Sequence, residues 1–303
     1  MVGPSAFNYS LTTMSFTDRF IQGKPTLSFE LFPPKNPLGW GTLYGTLSEI
    51  SKLNPDYISV TYGAGGSTRT KTVDLVGRIQ GELGIESMAH LTCVGHSREE
   101  IRALIDVLGE TGIGHILALR GDPPKGNAAF KPHPEGFAHA TELIAFIKGH
   151  LPLKIGCAYY PEKHVEAASL ESDLGYLKLK QDNGADFGVS QLFFKNENFY
   201  RYRDKAAAMG IHIPLVVGLM PVSELHQLQR FKEMSGCEIP PELIAFLGEG
   251  DVAEKGIAWT IRQADDLLKN GVAGVHIYCL NKFPGAVQIT RGLRELGHFP
   301  RPD

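Results

Sequence analysis

Glu30 stands inside an apolar run, Leu27-Ser28-Phe29-Glu30-Leu31-Phe32, that ends at Pro33-Pro34-Lys35. Burying a carboxylate is costly unless it is paired, hydrogen-bonded or protonated. Two readings follow: an acid paired in the core, or a proton-transfer residue at the mouth of a site. A second carboxylate, Asp122, follows Arg120-Gly121 at the end of another apolar run. Two carboxylates at one site read as an acid and a charge stabiliser. His90 and His164 add a set with metal-ligating chemistry, which leaves a metal-dependent hydrolase open. No His-x-His pair marks the first strand, and a lone histidine reads first as a hydrogen-bonded rim residue. Arg120-Gly121-Asp122 offers turn amides to an anion. Gly63, Gly65 and Gly66 allow a flat ring or phosphate close to the backbone. Asp173, Lys178 and Lys180 share a helical stretch where they meet ribose hydroxyls and a phosphate, or else form a solvated face.

Elements that position these groups recur with one rhythm. Short apolar runs cover Leu27–Leu31, Asp56–Tyr62, Glu86–Thr92, His115–Arg120, Lys154–Tyr160, Phe187–Phe193, Pro214–Met220 and Gly274–Leu280. Amphipathic stretches separate them at 39–53, 68–83, 97–111, 136–150, 166–183, 196–209, 223–234 and 251–270, and a last one covers 284–296. Alternating strands and helices predict βαβ units and a parallel sheet. A continuous run such as Leu215-Val216-Val217-Gly218-Leu219-Met220 predicts strands buried on both faces. Eight units in this length predict an α/β fold, a (β/α)8 TIM barrel of one domain over 25–303, with 1–24 as an N-terminal extension. Residues 236–250, with Pro240-Pro241, read as an insertion. A doubly wound sheet would place a Gly-rich fingerprint after the first strand, where Pro33-Pro34-Lys35-Asn36-Pro37 stands instead. In a barrel, the strand C-termini carry the site. Glu30, Thr61-Tyr62, His90, Arg120-Gly121-Asp122, Tyr160, Gln191 and Tyr278 all fall at or near those ends, with Glu30, His90 and Gln191 inside strands.

Composition narrows the partners. An apolar share of 43% and a charged share of 21% belong to a globular chain rather than a disordered one. The formal net charge of -3 provides no global basic field, so nucleic acid and anionic membranes are not expected partners. No apolar run reaches bilayer length. Met1 to Thr17 lacks the basic and apolar regions of a secretory signal. Cys93, Cys157, Cys237 and Cys279 are widely spaced with no CxxC pair, which predicts reduced thiols and a cytoplasmic protein without a structural zinc.

The ordered motifs resemble methylenetetrahydrofolate reductase of the bacterial flavin-dependent type. They are Ser28-Phe29-Glu30-Leu31-Phe32-Pro33-Pro34-Lys35, Ser59-Val60-Thr61-Tyr62-Gly63-Ala64, Ala89-His90-Leu91-Thr92-Cys93, Leu117-Ala118-Leu119-Arg120-Gly121-Asp122, Tyr160-Pro161-Glu162, Gln191-Leu192-Phe193-Phe194, Gly218-Leu219-Met220-Pro221-Val222 and His276-Ile277-Tyr278-Cys279-Leu280-Asn281-Lys282. The resemblance runs from about Leu27 to Leu296. It implies a barrel holding FAD at the strand C-termini, reduced by NADH or NADPH. The reduced flavin then passes hydride to 5,10-methylenetetrahydrofolate, giving 5-methyltetrahydrofolate, the methyl donor for methionine synthesis. It implies that Glu30 is the general acid that opens the folate ring to an iminium cation and that Asp122 favours that cation. Implied FAD contacts are Thr61, Tyr62, Ala64, His90, Arg120, Gly121, Asp122, Ala140, Tyr160, His164, Asp173 and Lys180. Gln191, Tyr278 and Lys282 are implied on the folate or nicotinamide side. The resemblance also implies a homo-oligomer.

Some positions depart from the family pattern. Leu225 fills the place of an aromatic that stacks on nicotinamide and folate, Tyr176 and Leu179 replace polar flavin contacts, and Lys282 stands where some members carry Arg. These changes leave a flavin-free relative, with direct hydride transfer from nicotinamide to folate, as an alternative. The long C-terminal regulatory region of eukaryotic members is not in this sequence, so control by a methyl-donor product is not expected.

Overall fold

The computed structural model describes residues 15–62, 69–122, 131–248 and 250–301. Eight strands are all parallel to their neighbours: β1 (Thr26–Leu31), β2 (Tyr57–Val60), β3 (Ser87–Thr92), β4 (His115–Leu119), β5 (Lys154–Tyr159), β6 (Phe187–Ser190), β7 (Leu215–Leu219) and β8 (Gly274–Tyr278). They close in sequence order, with β1 pairing β8 through Thr26 beside Gly274 and Phe29 beside Ile277. This is the expected (β/α)8 barrel. Its helices are α1 (Phe16–Ile21), α2 (Gly39–Ser51), α3 (Arg69–Leu83), α4 (Arg98–Glu110), α5 (Ala140–Lys148), α6 (Leu170–Asp182), α7 (Asn196–Ala208), α8 (His226–Ser235), α9 (Pro241–Leu247), α10 (Val252–Lys269) and α11 (Phe283–Glu295).

Period-two alternation sorts the side chains. In β1, Leu27, Phe29 and Leu31 join the apolar layer under the helices, which leaves Ser28 and Glu30 to the barrel interior. Ile58 and Val60 of β2, Ala89 and Leu91 of β3, and Val275 and Ile277 of β8 face the same outer layer. The alternate residues Ser59, His90, His276 and Tyr278 therefore share the interior with Glu30. Lower in the barrel the interior is apolar, with Tyr57, Met88, Leu117, Phe187, Val189 and Val216 packed around Phe16.

Phe16 comes from α1, which lies inside the segment read as an extension. Ser15 caps this helix in a reciprocal pair with Asp18. The Phe16 ring stacks on Tyr57 at 4.0 Å and lies 4.3 Å from His115, at the start of the strands. Its backbone N–H donates to Glu86 at 2.7 Å. The helix thus plugs the N-terminal mouth and leaves the opposite mouth for a ligand.

Strand ends differ from expectation where buried apolar residues continue past the ladder. The sixth strand stops at Ser190, yet Leu192, Phe193 and Phe194 remain buried and prolong the apolar run. Gln191 accordingly lies one residue beyond β6 rather than within it. The helix expected from 136 begins at Ala140, because Pro134 and the packing of Gly136 against the His96 carbonyl hold the preceding chain in a turn. The insertion at 236–250 contains the short helix α9, started by Pro241 at its first position.

Candidate active site

A cavity of about 490 Å³ opens at the C-terminal ends of the strands. Glu30, Thr61, His90, Arg120, Gly121, Asp122, Ala140, Tyr160, His164, Asp173, Lys180, Gln191 and Tyr278 all line it. These residues come from most of the βα units, so only the closed barrel brings them together.

Glu30 sits on the interior face near the end of β1. Its Oε2 lies 3.7 Å from His90 Nε2 and 3.9 Å from His276 Nε2. No Lys or Arg pairs with it among the described residues. Burial pushes His90 down to about 4, against the opposing pull of Glu30, so this imidazole is neutral at physiological pH. His90 Nε2 is buried without a hydrogen-bond partner. The acid is therefore set between two imidazoles, without the Lys or Arg partner of the paired-core reading among the described residues.

Opposite Glu30, α6 carries Asp173 in its first turn and Lys180 two turns on. Asp173 is 6% exposed, and its Oδ2 has no hydrogen-bond partner. Burial pushes its carboxyl up to about 6, only partly offset by Lys180. Lys180 donates to the Ala158 carbonyl at 2.7 Å and lies 5.9 Å from the centre of the Tyr160 ring. Lys178 pairs with Asp182 and keeps to the solvated face. Along the rim, Arg120 forms a two-pronged pair with Glu166, at 2.5 and 3.1 Å. His164 accepts from the Glu166 N–H through Nδ1 at 3.1 Å and meets Tyr160 edge-on at 4.7 Å. Burial, then Arg120, holds His164 below the usual histidine range.

Gly121 turns between Arg120 and Asp122 with φ +85°, and a Cβ there would lie 2.7 Å from Val94. Only glycine fits both constraints. The nine-residue α5 opens on the cavity through His139, Ala140 and Thr141, and no side chain caps it. On the far wall, Tyr278 donates to the Ser190 carbonyl at 2.6 Å, and Ser190 Oγ accepts from Gly218 N–H at 2.8 Å. Gln191 Oε1 accepts from Leu192 N–H at 2.8 Å, which leaves its NH₂ group for a ligand.

The methylenetetrahydrofolate reductase family model matches residues 15–294. The 5,10-methylenetetrahydrofolate reductase of Escherichia coli is 36% identical over 267 residues, covering 86% of this chain and 88% of that protein. The chain belongs to the methylenetetrahydrofolate reductase family. It is thereby an oxidoreductase acting on CH–NH groups. A relative from Arabidopsis thaliana, named methylenetetrahydrofolate reductase (NADH) 1, is 35% identical over 288 residues, which cover 90% of this chain and 49% of that protein. Among solved structures, an uncharacterised Clostridium thermocellum protein that binds two copies of 5-methyl-5,6,7,8-tetrahydrofolic acid superposes with a TM-score of 0.63. It shares 13% identity, covers 93% of this chain and 98% of its own, and supports the barrel fold.

Two of the expected contacts do not join the cavity wall. Tyr62 turns aside to hydrogen-bond His96 at 3.0 Å. Lys282 is exposed where α11 begins, on the same rim but outside the cavity. Ala64, with Gly63, Gly65 and Gly66, lies outside the described residues. Of the departures, Tyr176 reaches the cavity wall, whereas Leu179 and Leu225 are exposed away from it. Sequence reasoning missed Glu166, Ser190 and His139. Glu166 had no signal, since a rim glutamate in a loop resembles any other. Among the described residues, no three His, Cys, Asp or Glu side chains converge as a metal site.

Proposed function

We propose that this chain reduces 5,10-methylenetetrahydrofolate to 5-methyltetrahydrofolate with NADH or NADPH, carrying the hydride on FAD, with Glu30 as general acid. The observation that carries this reading is Glu30 itself: an interior carboxyl on a ligand-sized cavity, beside neutral His90 and, among the described residues, without a Lys or Arg partner. The family's substrate and the folate named for the Clostridium protein agree with it.

The residues present fit FAD. Asp173 Oδ2 is a buried acceptor awaiting a hydroxyl, as a ribose supplies. Gly121 and the uncapped start of α5 give amides for a pyrophosphate. Thr61, His90, Arg120, Asp122, Ala140, Tyr160, His164, Asp173 and Lys180 would hold the group. Bound there, a flavin supplies hydride transfer between nicotinamide and folate.

Glu30 gives its proton to the ring nitrogen that leaves as the methylene carbon–nitrogen bond breaks, and the bonding pair stays on that nitrogen. The methylene carbon becomes an iminium and accepts hydride. Asp122, a carboxylate on the same wall, favours that cation electrostatically. Gln191 presents its NH₂ to the pterin edge, and Tyr278, fixed by Ser190, shapes the wall. The same reading puts the enzyme in the cytoplasm, with four buried, unbridged cysteines, as a homo-oligomer. No helix among the described residues is long and apolar enough to cross a membrane.

An absorption spectrum and a two-acceptor assay test the proposal. Purified protein should be yellow, or become so on reconstitution. Glu30→Gln should lose folate-linked NAD(P)H oxidation by about a hundredfold or more, the scale of a general acid, while menadione-linked oxidation falls far less. Colourless protein that gains no flavin yet turns over would replace FAD with direct nicotinamide transfer. Equal loss of both rates in Glu30→Gln would refute the acid role.

A further inference from the structure

The end of β1 is fastened to the loop after β8 by a side chain rather than by backbone. The ladder between β1 and β8 runs up to Glu30 beside Tyr278 and stops there. Two residues on, Phe32 is followed by Pro33-Pro34, neither of which has an N–H to give. Phe32 is therefore the last residue of this stretch with both backbone groups to pair. Asn281 takes both. Its Oδ1 accepts from Phe32 N–H at 3.0 Å, and its Nδ2 donates to the Phe32 carbonyl at 2.8 Å. A primary amide offers the same C=O and N–H as a peptide group, so Asn281 adds one more rung after the backbone ladder has ended.

The turn that presents this amide is strained. Leu280 has φ +51° and Asn281 φ +56°, two successive residues in the left-handed region. Asparagine tolerates that conformation, whereas for leucine it is unfavourable. Such strain persists only where surrounding contacts enforce it. Thr46 of α2, itself buried, donates to the Asn281 carbonyl at 2.8 Å. Lys282 N–H donates to the Cys279 carbonyl at 2.9 Å and closes the turn. Asn281 is buried within these contacts.

The segment held in this way carries Glu30. Cys279 Sγ, from the same loop, donates to the Glu30 carbonyl at 3.0 Å. On the other flank, Thr61 N–H donates to the Leu31 carbonyl at 2.9 Å. Glu30, Leu31 and Phe32 are thus each tied through the main chain where the strand would otherwise fray. Beside the Glu30 carboxyl, the imidazoles of His90 and His276 stand at 3.7 and 3.9 Å, beyond hydrogen-bond distance. Among the described residues, the main chain rather than a side-chain hydrogen bond sets where the carboxyl stands.

We propose, on the reading of Glu30 as general acid, that Asn281 is its positioning residue: the amide clamps Phe32 and holds the end of β1 so that the Glu30 carboxyl meets the substrate nitrogen. Asn281 lies outside the cavity lining and acts through the strand.

Amide exchange and kinetics test the clamp and its role separately. Asn281→Gly keeps the left-handed turn, which glycine adopts freely, and removes the side-chain amide. In the apoprotein, the Phe32 amide should exchange about tenfold faster than in wild type, the scale of one lost hydrogen bond. In the flavin-loaded enzyme, the folate-linked rate divided by the menadione-linked rate should fall about tenfold, because a small displacement of a reacting group slows the chemical step. The fall should lie in the rate at saturating folate rather than in the folate KM. Asn281→Asp keeps the acceptor for Phe32 N–H and should recover part of both effects. In a Glu30→Gln background, Asn281→Gly should change the ratio by less than about twofold, since the group it positions is gone. If Asn281→Gly does not fold, Thr46→Val, which releases the Asn281 carbonyl, should move exchange and ratio in the same direction, and a wild-type result there counts equally against the clamp. A wild-type ratio in folded Asn281→Gly, an unchanged Phe32 exchange rate, or losses that multiply in the double variant overturn the inference. Glu30→Gln alone keeps the two claims apart: if it retains folate reduction, the acid assignment itself fails. If it loses folate reduction while Asn281→Gly behaves as wild type, only the role of Asn281 falls.

Discussion

Asp173→Asn should make the apoprotein more stable and its cofactor affinity weaker. The carboxyl is 6% exposed, its Oδ2 has no partner, and burial lifts it from 3.8 to about 6. That is roughly two pH units, and at about 1.36 kcal/mol each the ionised group costs the fold roughly 3 kcal/mol. Two effects reduce the gain from removing it. Solvent in the open cavity screens the charge, and the first turn of α6 favours a negative group by about 0.3–1 kcal/mol. A net gain of about 1–2 kcal/mol remains, or about 2–5 °C in Tm for a chain of this size.

The sign depends on pH. The folded value lies above the unfolded one, so the native state binds the extra proton between about pH 4 and 6. Wild-type stability from this group is full below pH 4 and falls as pH rises through 6. The advantage of Asp173→Asn should therefore be small near pH 4.5, grow to pH 6 and stay level above 7. Thermal unfolding of apoprotein across pH 4.5–8 measures this, and a flavin titration at pH 7.5 should show affinity at least about tenfold weaker, the scale of a lost charged hydrogen bond. A variant that is less stable at pH 8, or whose advantage does not change with pH, would refute the picture of a desolvated carboxylate waiting for a hydroxyl. So would unaltered flavin affinity.

At the other end of the barrel, burial pushes Glu86 up to about 7, with Asp18 and Asp56 adding to the rise. Its folded value also exceeds its unfolded one, so its contribution is lost as pH rises from about 4.5 through 7. Glu86→Gln should raise Tm at pH 8 and leave it nearly unchanged at pH 5, since the amide still accepts from Phe16 N–H. Gly218→Ala should cost about 1–3 kcal/mol in urea unfolding. Its Cβ would press on the Tyr278 hydroxyl and lie 2.6 Å from the Ser190 carbonyl, breaking the bond between them.

The barrel was legible because each strand is a compact apolar run and each helix an amphipathic one, and because eight such pairs have few ways to close. Glu30 was legible for a related reason, since one acid between Phe29 and Leu31 breaks an otherwise apolar pattern. The rim residues Arg120, Asp122 and Tyr160 followed from the rule that strand C-termini carry the site. Strand ends were less legible. Gln191 was assigned to β6 because buried Leu192, Phe193 and Phe194 continue the apolar run after the ladder stops. Lys282 was placed with the substrate contacts by the family resemblance, but a long side chain at the start of α11 can turn to solvent, and here it does. Ser28 did carry a signal. It lies two residues before Glu30, on the same face, so period two alone places it inside the barrel. His276 and Ser59 become its neighbours only through the register of β8 and β2, which no local pattern encodes.

The interior of this barrel is divided by chemistry along its axis. Phe16 and the rings around it fill the N-terminal end as a dry apolar plug. Above it the same alternating positions carry Ser28, Glu30, Ser59, His90 and His276. A core assembled for stability alone would continue the apolar layers to the top, as the outer faces of β1, β2, β3, β7 and β8 do. Instead, two buried polar atoms without partners, His90 Nε2 and Asp173 Oδ2, lie on the cavity wall. Each destabilises the empty fold, and each is relieved by a ligand that brings the missing donor or acceptor. The plug and the outer apolar layer offset that cost, which is why removing the Asp173 charge is expected to strengthen the fold while it weakens the site.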